Sequence, residues 1–139
     1  MPTTEALRTF LADSFPQTGC TIESVENGQA TLRHAIGFDQ LRPGGTVSGP
    51  VMMELADCAL YVAILAQIGI VPLAVTTNLS INFMRKPAAD RDLIGTCALL
   101  KVGKTLAVGE VTIYSEGLDA PVAHATGTYA IPPGQTGNG

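Results

Sequence analysis

The sequence predicts an α+β domain in which one long buried helix is wrapped by a curved antiparallel sheet. Three observations carry this. Residues 50–67 are apolar nearly all the way round, the pattern of a helix covered on most sides. Three or four strand-like runs follow with no second long helix among them. The 139 residues show no internal repeat and no linker, and that length is one domain's worth. A curved antiparallel sheet is the economical cover for a single apolar helix.

Each element has its local reason. Residues 4–15 form a short amphipathic helix, with Thr4 as cap, Leu7, Phe10 and Leu11 as its apolar stripe, and Pro16 ending it. Residues 20–26 and 29–36 are two strands joined at Asn27-Gly28, a pair of residues that favours tight hairpins. A loop rich in Gly and Pro runs to residue 49. The long helix spans Pro50 to about Gln67. Proline is pre-shaped for the first helical position, Ser48 or Gly49 serves as cap, and Gly69 lies just past the end. Residues 73–84 alternate: Leu73, Val75, Thr77, Leu79, Ile81 and Phe83 take one face, and Thr76, Asn78, Ser80 and Asn82 the other. Residues 92–102, 105–115 and 121–131 complete the strands, with turns at Gly103-Lys104 and Glu116-Gly117. The domain is expected over residues 1–132, and the polar tail 133–139 is expected to be disordered.

Composition narrows the function classes. The net charge is −4 and there is no basic stripe, so no nucleic-acid partner is expected. Cys20, Cys58 and Cys97 are odd in number, widely spaced and form no CxxC, which suggests neither zinc nor a redox pair and fits a reduced, cytoplasmic setting. His34 and His124 read as strand histidines, and no His/Cys/Glu spacing points to a metal. The N-terminus lacks the basic-then-apolar pattern of a signal peptide. The most apolar stretch, 51–73, carries Glu54 and Asp57; a membrane span would have to bury both, so no membrane is expected.

The chemistry concentrates at the start of the long helix, in the run from Arg42 to Asp57. Free backbone N–H groups point out of a helix start, and the macrodipole favours negative charge there. Such a place can hold a polarised carbonyl oxygen or an oxyanion. Gly49 allows close approach, while Pro50 has no N–H, leaving Gly49 and Val51 as donors; an ordinary capped helix start is the simpler alternative. Asp57 lies mid-helix among Leu55, Ala56, Cys58 and Ala59, where a carboxylate is costly unless paired. It is either a base stripped of water or a structural, salt-bridged acid. Glu54 and Tyr61 stand one turn before and after it and share its side of the helix. Eight positions separate Gly49 from Asp57, roughly 12 Å along a helix. Catalytic contacts are about 3 Å, so both reach one carbonyl only if the second comes from another subunit. Joint action therefore requires a dimer.

The run Gly45-Thr-Val-Ser-Gly49, with Asp57 eight residues on and the strand VTTNLSINFMRKP, resembles the phenylacetic-acid-degradation (PaaI-like) type of hotdog-fold thioesterases. The resemblance extends from the first hairpin to the last strand. It implies a hotdog fold and hydrolysis of an acyl-CoA or related thioester, with coenzyme A as part of the substrate and no separate cofactor. It further implies a homodimer or a dimer of dimers. In that family an acid on the helix is general base or nucleophile, a helix-start Gly polarises the thioester carbonyl, and a Ser or Thr early in the next strand helps place water. Position by position these are Asp57, Gly49 and Thr76. Arg85 and Lys86, before Pro87, fall where the CoA phosphates lie in the family. Arg42, Ser48, Glu54, Tyr61 and Asn78 complete the expected substrate-binding set. The chain departs from the family in having Ser48-Gly49-Pro50 for the usual His-Gly-Gly, and Arg42 where Asn or Gln is common.

Two other functions compete. Gly49 to Glu54 faintly echoes acyl-thioester dehydratases, with Glu54 as acid, but those also need a His in the preceding loop and residues 37–50 contain none. A non-catalytic acyl-CoA-binding module is the second, motivated by the departures at Arg42, Ser48 and Pro50.

Overall fold

The computed structural model describes residues 1–26 and 28–133. Helix α1 (Thr4–Ser14) leads into β1 (Cys20–Glu26) and β2 (Gln29–His34). A short 3-10 turn and a two-residue ladder, β3 (Leu41–Arg42) with β4 (Thr46–Val47), fill the Gly/Pro-rich loop. Helix α2 (Gly49–Ile68) follows, then β5 (Val75–Phe83), β6 (Leu93–Val102), β7 (Leu106–Ser115) and β8 (Ala123–Ala130). The large sheet is antiparallel in the order β1-β2-β6-β7-β8-β5, so β1 and β5 are its edges.

This is the expected hotdog arrangement. Twelve of the twenty α2 residues are buried, including Leu55, Leu60 and Ile64. By length and composition α2 would cross a membrane, but here the sheet supplies its apolar surroundings. The inward positions of the sheet are made small where the helix lies closest. A Cβ added at Gly127 would stand 2.5 Å from Leu60 Cδ1, one at Gly109 2.8 Å from Leu60 Cδ2, and one at Gly95 3.0 Å from Leu55 Cγ. Glycine at these positions lets the helix sit down on the sheet. Helix α1 packs Leu7 and Leu11 into the same core and crosses near α2 and β1.

Several sequence expectations need correction. The cap of α1 is Thr3, whose side chain accepts from the Ala6 N–H, rather than Thr4, which is already helical. Strand β2 ends at His34, not residue 36, because Ile36 gives its N–H to Asp92 instead of to a ladder. Asn27 of the expected hairpin turn, and residues 134–139 of the expected tail, lie outside the described residues; Gly28 has φ 75°, as such a turn requires. The largest change concerns β5. Its register against β8 slips between Thr76 and Asn78, so Thr77 is a bulge. Thr76 then lies opposite Tyr129 and Leu79 opposite Gly127, both on the helix side, whereas Asn78 lies opposite Thr128 on the outer face. Thr76 and Asn78 were expected on one face and are on opposite ones.

Candidate active site

Two cavities sit at different stations along α2. The first, about 390 Å³, lies beneath α1, with Phe10, Phe15, Tyr61, Val75, Tyr129 and Asp57 in its lining. Its character is aromatic. The Phe10 and Tyr61 rings are 6.3 Å apart and the Tyr61 and Tyr129 rings 6.0 Å. The Tyr61 hydroxyl donates to the Pro72 carbonyl at 3.1 Å, which fixes that ring in the wall.

Asp57 presents its carboxylate to this cavity through a defined set of bonds. The bulge at Thr77 turns Thr76 inward, and its hydroxyl donates to Asp57 Oδ1 at 2.6 Å. The Tyr129 hydroxyl donates to the same oxygen at 2.8 Å and lies 3.1 Å from the Asp57 backbone carbonyl. Sequence reasoning missed Tyr129. A signal was available: along β8 the inward positions are Ala123, Ala125, Gly127 and Tyr129, so the single bulky, polar-tipped one stands out.

Glu54 also borders the first cavity, but its carboxylate turns toward β1 and β2. Oε1 lies 3.0 Å from His34 Nε2, while Oε2 accepts from the Thr18 hydroxyl and the Gly19 N–H, each at 3.2 Å. Burial alone would push this carboxyl up. The bonds from His34, Gly19 and Thr18 outweigh burial and hold it below the usual carboxylate range. His34 is only 3% exposed, and its Nδ1 faces the Ala35 carbonyl at 2.9 Å. Both ring nitrogens thus face oxygen atoms of the protein. Glycine at 19 is required, since a Cβ there would fall 2.6 Å from the imidazole.

No metal set was expected from residue spacing, yet Cys20, His34 and Glu54 bring ligand-type atoms within 4.8 Å of one another. They come from β1, β2 and α2, so no linear spacing could reveal them. The His34–Glu54 pair, with its Thr18, Gly19 and Ala35 partners, accounts for the grouping. His124, the other strand histidine, pairs with Glu110 at 2.9 Å on the outer face of the sheet.

The second cavity, about 480 Å³, surrounds the start of α2. Gly49 lies in its wall with Arg42, Arg85 and Lys86, and no carboxylate lines it. In a chain of net charge −4, this is a local excess of positive charge facing a helix start. Ser48 is the helix cap: φ −72°, ψ 148°, with its hydroxyl accepting from the Val51 N–H at 3.4 Å. That bond occupies one of the two donors expected there. Among the described residues no protein acceptor takes the Gly49 N–H. The Phe83 ring closes over Gly49, with Cζ 3.4 Å from where a Cβ would stand. Arg85 donates Nε to the Pro121 carbonyl at 2.9 Å, which holds its stem near the cavity rim.

The predicted site residues therefore fall into two groups. Asp57, Thr76, Glu54 and Tyr61 gather at the first cavity; Gly49, Arg42, Arg85 and Lys86 gather at the second, with Ser48 capping the helix beside them. Asn78 belongs to neither lining. Within one chain, Asp57 and Gly49 do not share a cavity, as their spacing along the helix required.

With this geometry in hand, the comparisons with known proteins can be read. The family model described as the thioesterase superfamily matches residues 44–121, which contain Gly49, Asp57, Thr76 and the Arg85-Lys86 turn. A solved protein of Silicibacter sp., described as a candidate thioesterase, is 49% identical, covers 94% of this chain and 92% of its own, and superposes with a TM-score of 0.87. The Escherichia coli PaaI protein of the phenylacetic acid degradation operon shares the fold at 21% identity, with 96% and 99% of the two chains covered and a TM-score of 0.79. A Streptococcus mutans protein solved with acetyl-CoA shares it at 22% identity, with 84% and 90% covered and a TM-score of 0.75. Comparison with curated proteins gives no match.

Proposed function

The chain belongs to the thioesterase superfamily, and from that premise we propose that it hydrolyses an acyl-CoA thioester at a site shared by two subunits. Thioester hydrolysis is the chemistry of the superfamily; the carboxylate mechanism and the shared site are our reading. The observation that carries it is the division of the site. A carboxylate held on one side opens on an aromatic cavity, and an unengaged helix-start N–H opens on a cationic one. Each is half of what a thioester needs.

The thioester carbonyl oxygen would accept from the Gly49 N–H of one subunit, where charge developing on it is stabilised by a donor already in place. Asp57 of the partner subunit would take a proton from water as the oxygen adds to the carbonyl carbon. Collapse of the tetrahedral intermediate breaks the C–S bond, and the proton passes to the departing thiolate. The products are a carboxylic acid and a free thiol, so the step balances with water alone and needs no separate cofactor. The acyl group would lie in the aromatic cavity. Arg42, Arg85 and Lys86 would meet the CoA phosphates. The PaaI-like type is the variety the site resembles most.

A dimer or dimer of dimers completes this reading. Edge strand β5 exposes Val75 at 54% and Phe83 at 50%, and Met84 just past its end is 47% exposed, apolar surface that a second sheet would cover. In this reading the protein is cytoplasmic, a setting in which three free, buried cysteines would stay reduced. The dehydratase alternative is weakened because both Glu54 oxygens are already hydrogen-bonded and its His34 partner is buried away from substrate.

Thiol release from a panel of acyl-CoA thioesters, with Asp57→Asn as control, tests the proposal. Wild type should release CoA from at least one class and the variant should lose on the order of a hundredfold or more in kcat. Binding without release across the panel would favour a non-catalytic acyl-CoA module.

A further inference from the structure

The two oxygens of Asp57 are not equivalent. Oδ1 accepts from Thr76 at 2.6 Å and from Tyr129 at 2.8 Å. Among the described residues no protein donor reaches Oδ2. We infer that Oδ2 is the reacting oxygen and that Tyr129, together with Thr76, is a positioning residue deciding which oxygen faces the substrate. This rests on the thioesterase reading of Asp57 given above.

A general base needs a free lone pair aimed at the proton it takes. With two hydroxyls on Oδ1, that oxygen is engaged and the carboxylate cannot swing about its terminal torsion without breaking both bonds. Oδ2 is then held at one place. Tyr129 suits this task because it cannot drift. It is 3% exposed, it sits on β8 between paired strands β5 and β7, and its ring packs against Tyr61, which packs against Phe10. Burial pushes its phenol above the usual tyrosine range, so it stays a donor throughout the working pH range.

The inference also changes the part played by Thr76. The family resemblance gives a hydroxyl at that strand position the task of placing water. Here its one proton goes to Asp57, and the bulge at Thr77 turns it inward. Water placement falls to Oδ2 itself.

The test compares Tyr129→Phe, Thr76→Val and Thr76→Ser in kcat and KM. Tyr129→Phe and Thr76→Val should each lower kcat by about tenfold with KM changed less than about twofold, since a misaimed base weakens the transition state and not substrate binding. Thr76→Ser restores the hydroxyl and should lie within about twofold of wild type. Wild-type kcat in both hydroxyl-deleted variants, in an enzyme that Asp57→Asn inactivates, would overturn the positioning role and leave Asp57 as base. Full activity of Asp57→Asn would instead overturn the reading beneath it. Should Tyr129→Phe fail to fold, the Thr76 pair decides alone: equal kcat for Val and Ser refutes the inference.

Discussion

Mixing two inactive variants should regenerate activity. Asp57→Asn removes the base and should cost on the order of a hundredfold or more. Gly49→Pro removes the helix-start N–H and should cost on the order of a hundred- to a thousandfold, the usual effect of losing one oxyanion donor. The proline is compatible with the local geometry. Ser48 before it is extended at φ −72°, ψ 148°, as a residue preceding proline prefers, and proline is accepted at the first helical position. The added Cβ meets Phe83 at 3.4 Å, an ordinary contact. Eight residues, about 12 Å of helix rise, separate the two groups, and they line different cavities, so no chain repairs its own defect. In a mixed dimer one site carries both defects and the other carries neither. Random exchange makes half the dimers mixed, so an equal mixture should recover about a quarter of wild-type activity in a thiol-release assay. Native mass spectrometry reports the exchange independently. Demonstrated exchange with activity no higher than the mean of the two variants would refute the shared site, as would a monomer that retains full activity.

Other outcomes follow from the same geometry. Replacing Arg85 and Lys86 together with Ala should raise KM for CoA thioesters more than it lowers kcat and leave pantetheine thioesters unaffected, a comparison steady-state kinetics makes directly. Glu54→Gln should change kcat far less than Asp57→Asn. Glu54→Ala should lower stability by about 1–3 kcal/mol in urea denaturation, because it leaves buried His34 without its partner. Glu54 also predicts acid lability. Its folded-state carboxyl is depressed below the ordinary 4.5, so its stabilisation is complete above that value and is lost as pH falls through the depressed one; Tm against pH should flatten over that acid range in Glu54→Gln. Gly127→Ala should cost about 1–3 kcal/mol by overpacking against Leu60, read as a shifted denaturation midpoint.

Much of the fold was legible because its signals are local. Apolar residues all round one helix required a wrapping sheet, and proline and glycine marked the ends of α2 to within a residue. Strands β6, β7 and β8 begin and end within two residues of their alternating runs. What was not legible depends on pairing. Alternation in residues 73–84 assumes one residue per step, but β5 takes an extra residue at Thr77 to stay in register with β8. Nothing in the strand's own sequence reports the register of its neighbour. The β3–β4 ladder escaped notice for a related reason, since two residues make no pattern.

The candidate site shows the same division, most clearly in its two carboxylates. Glu54 and Asp57 are three residues apart, close enough for sequence to put them on one side of α2 and no more. Three residues turn a helix by roughly 300°, which leaves the two side chains pointing some 60° apart. That divergence sends Glu54 toward β1 and β2, where His34, Thr18 and Gly19 engage both its oxygens, and sends Asp57 toward β8 and β5, where Tyr129 and Thr76 engage only one. A carboxylate with both oxygens bonded is a fastening. A carboxylate with one oxygen bonded and one left open is a fastened base. The family spacing selected Asp57 by its distance from Gly49, and the hydrogen bonds give that choice a physical basis: of the two acids, Asp57 alone keeps an oxygen that no protein donor reaches among the described residues.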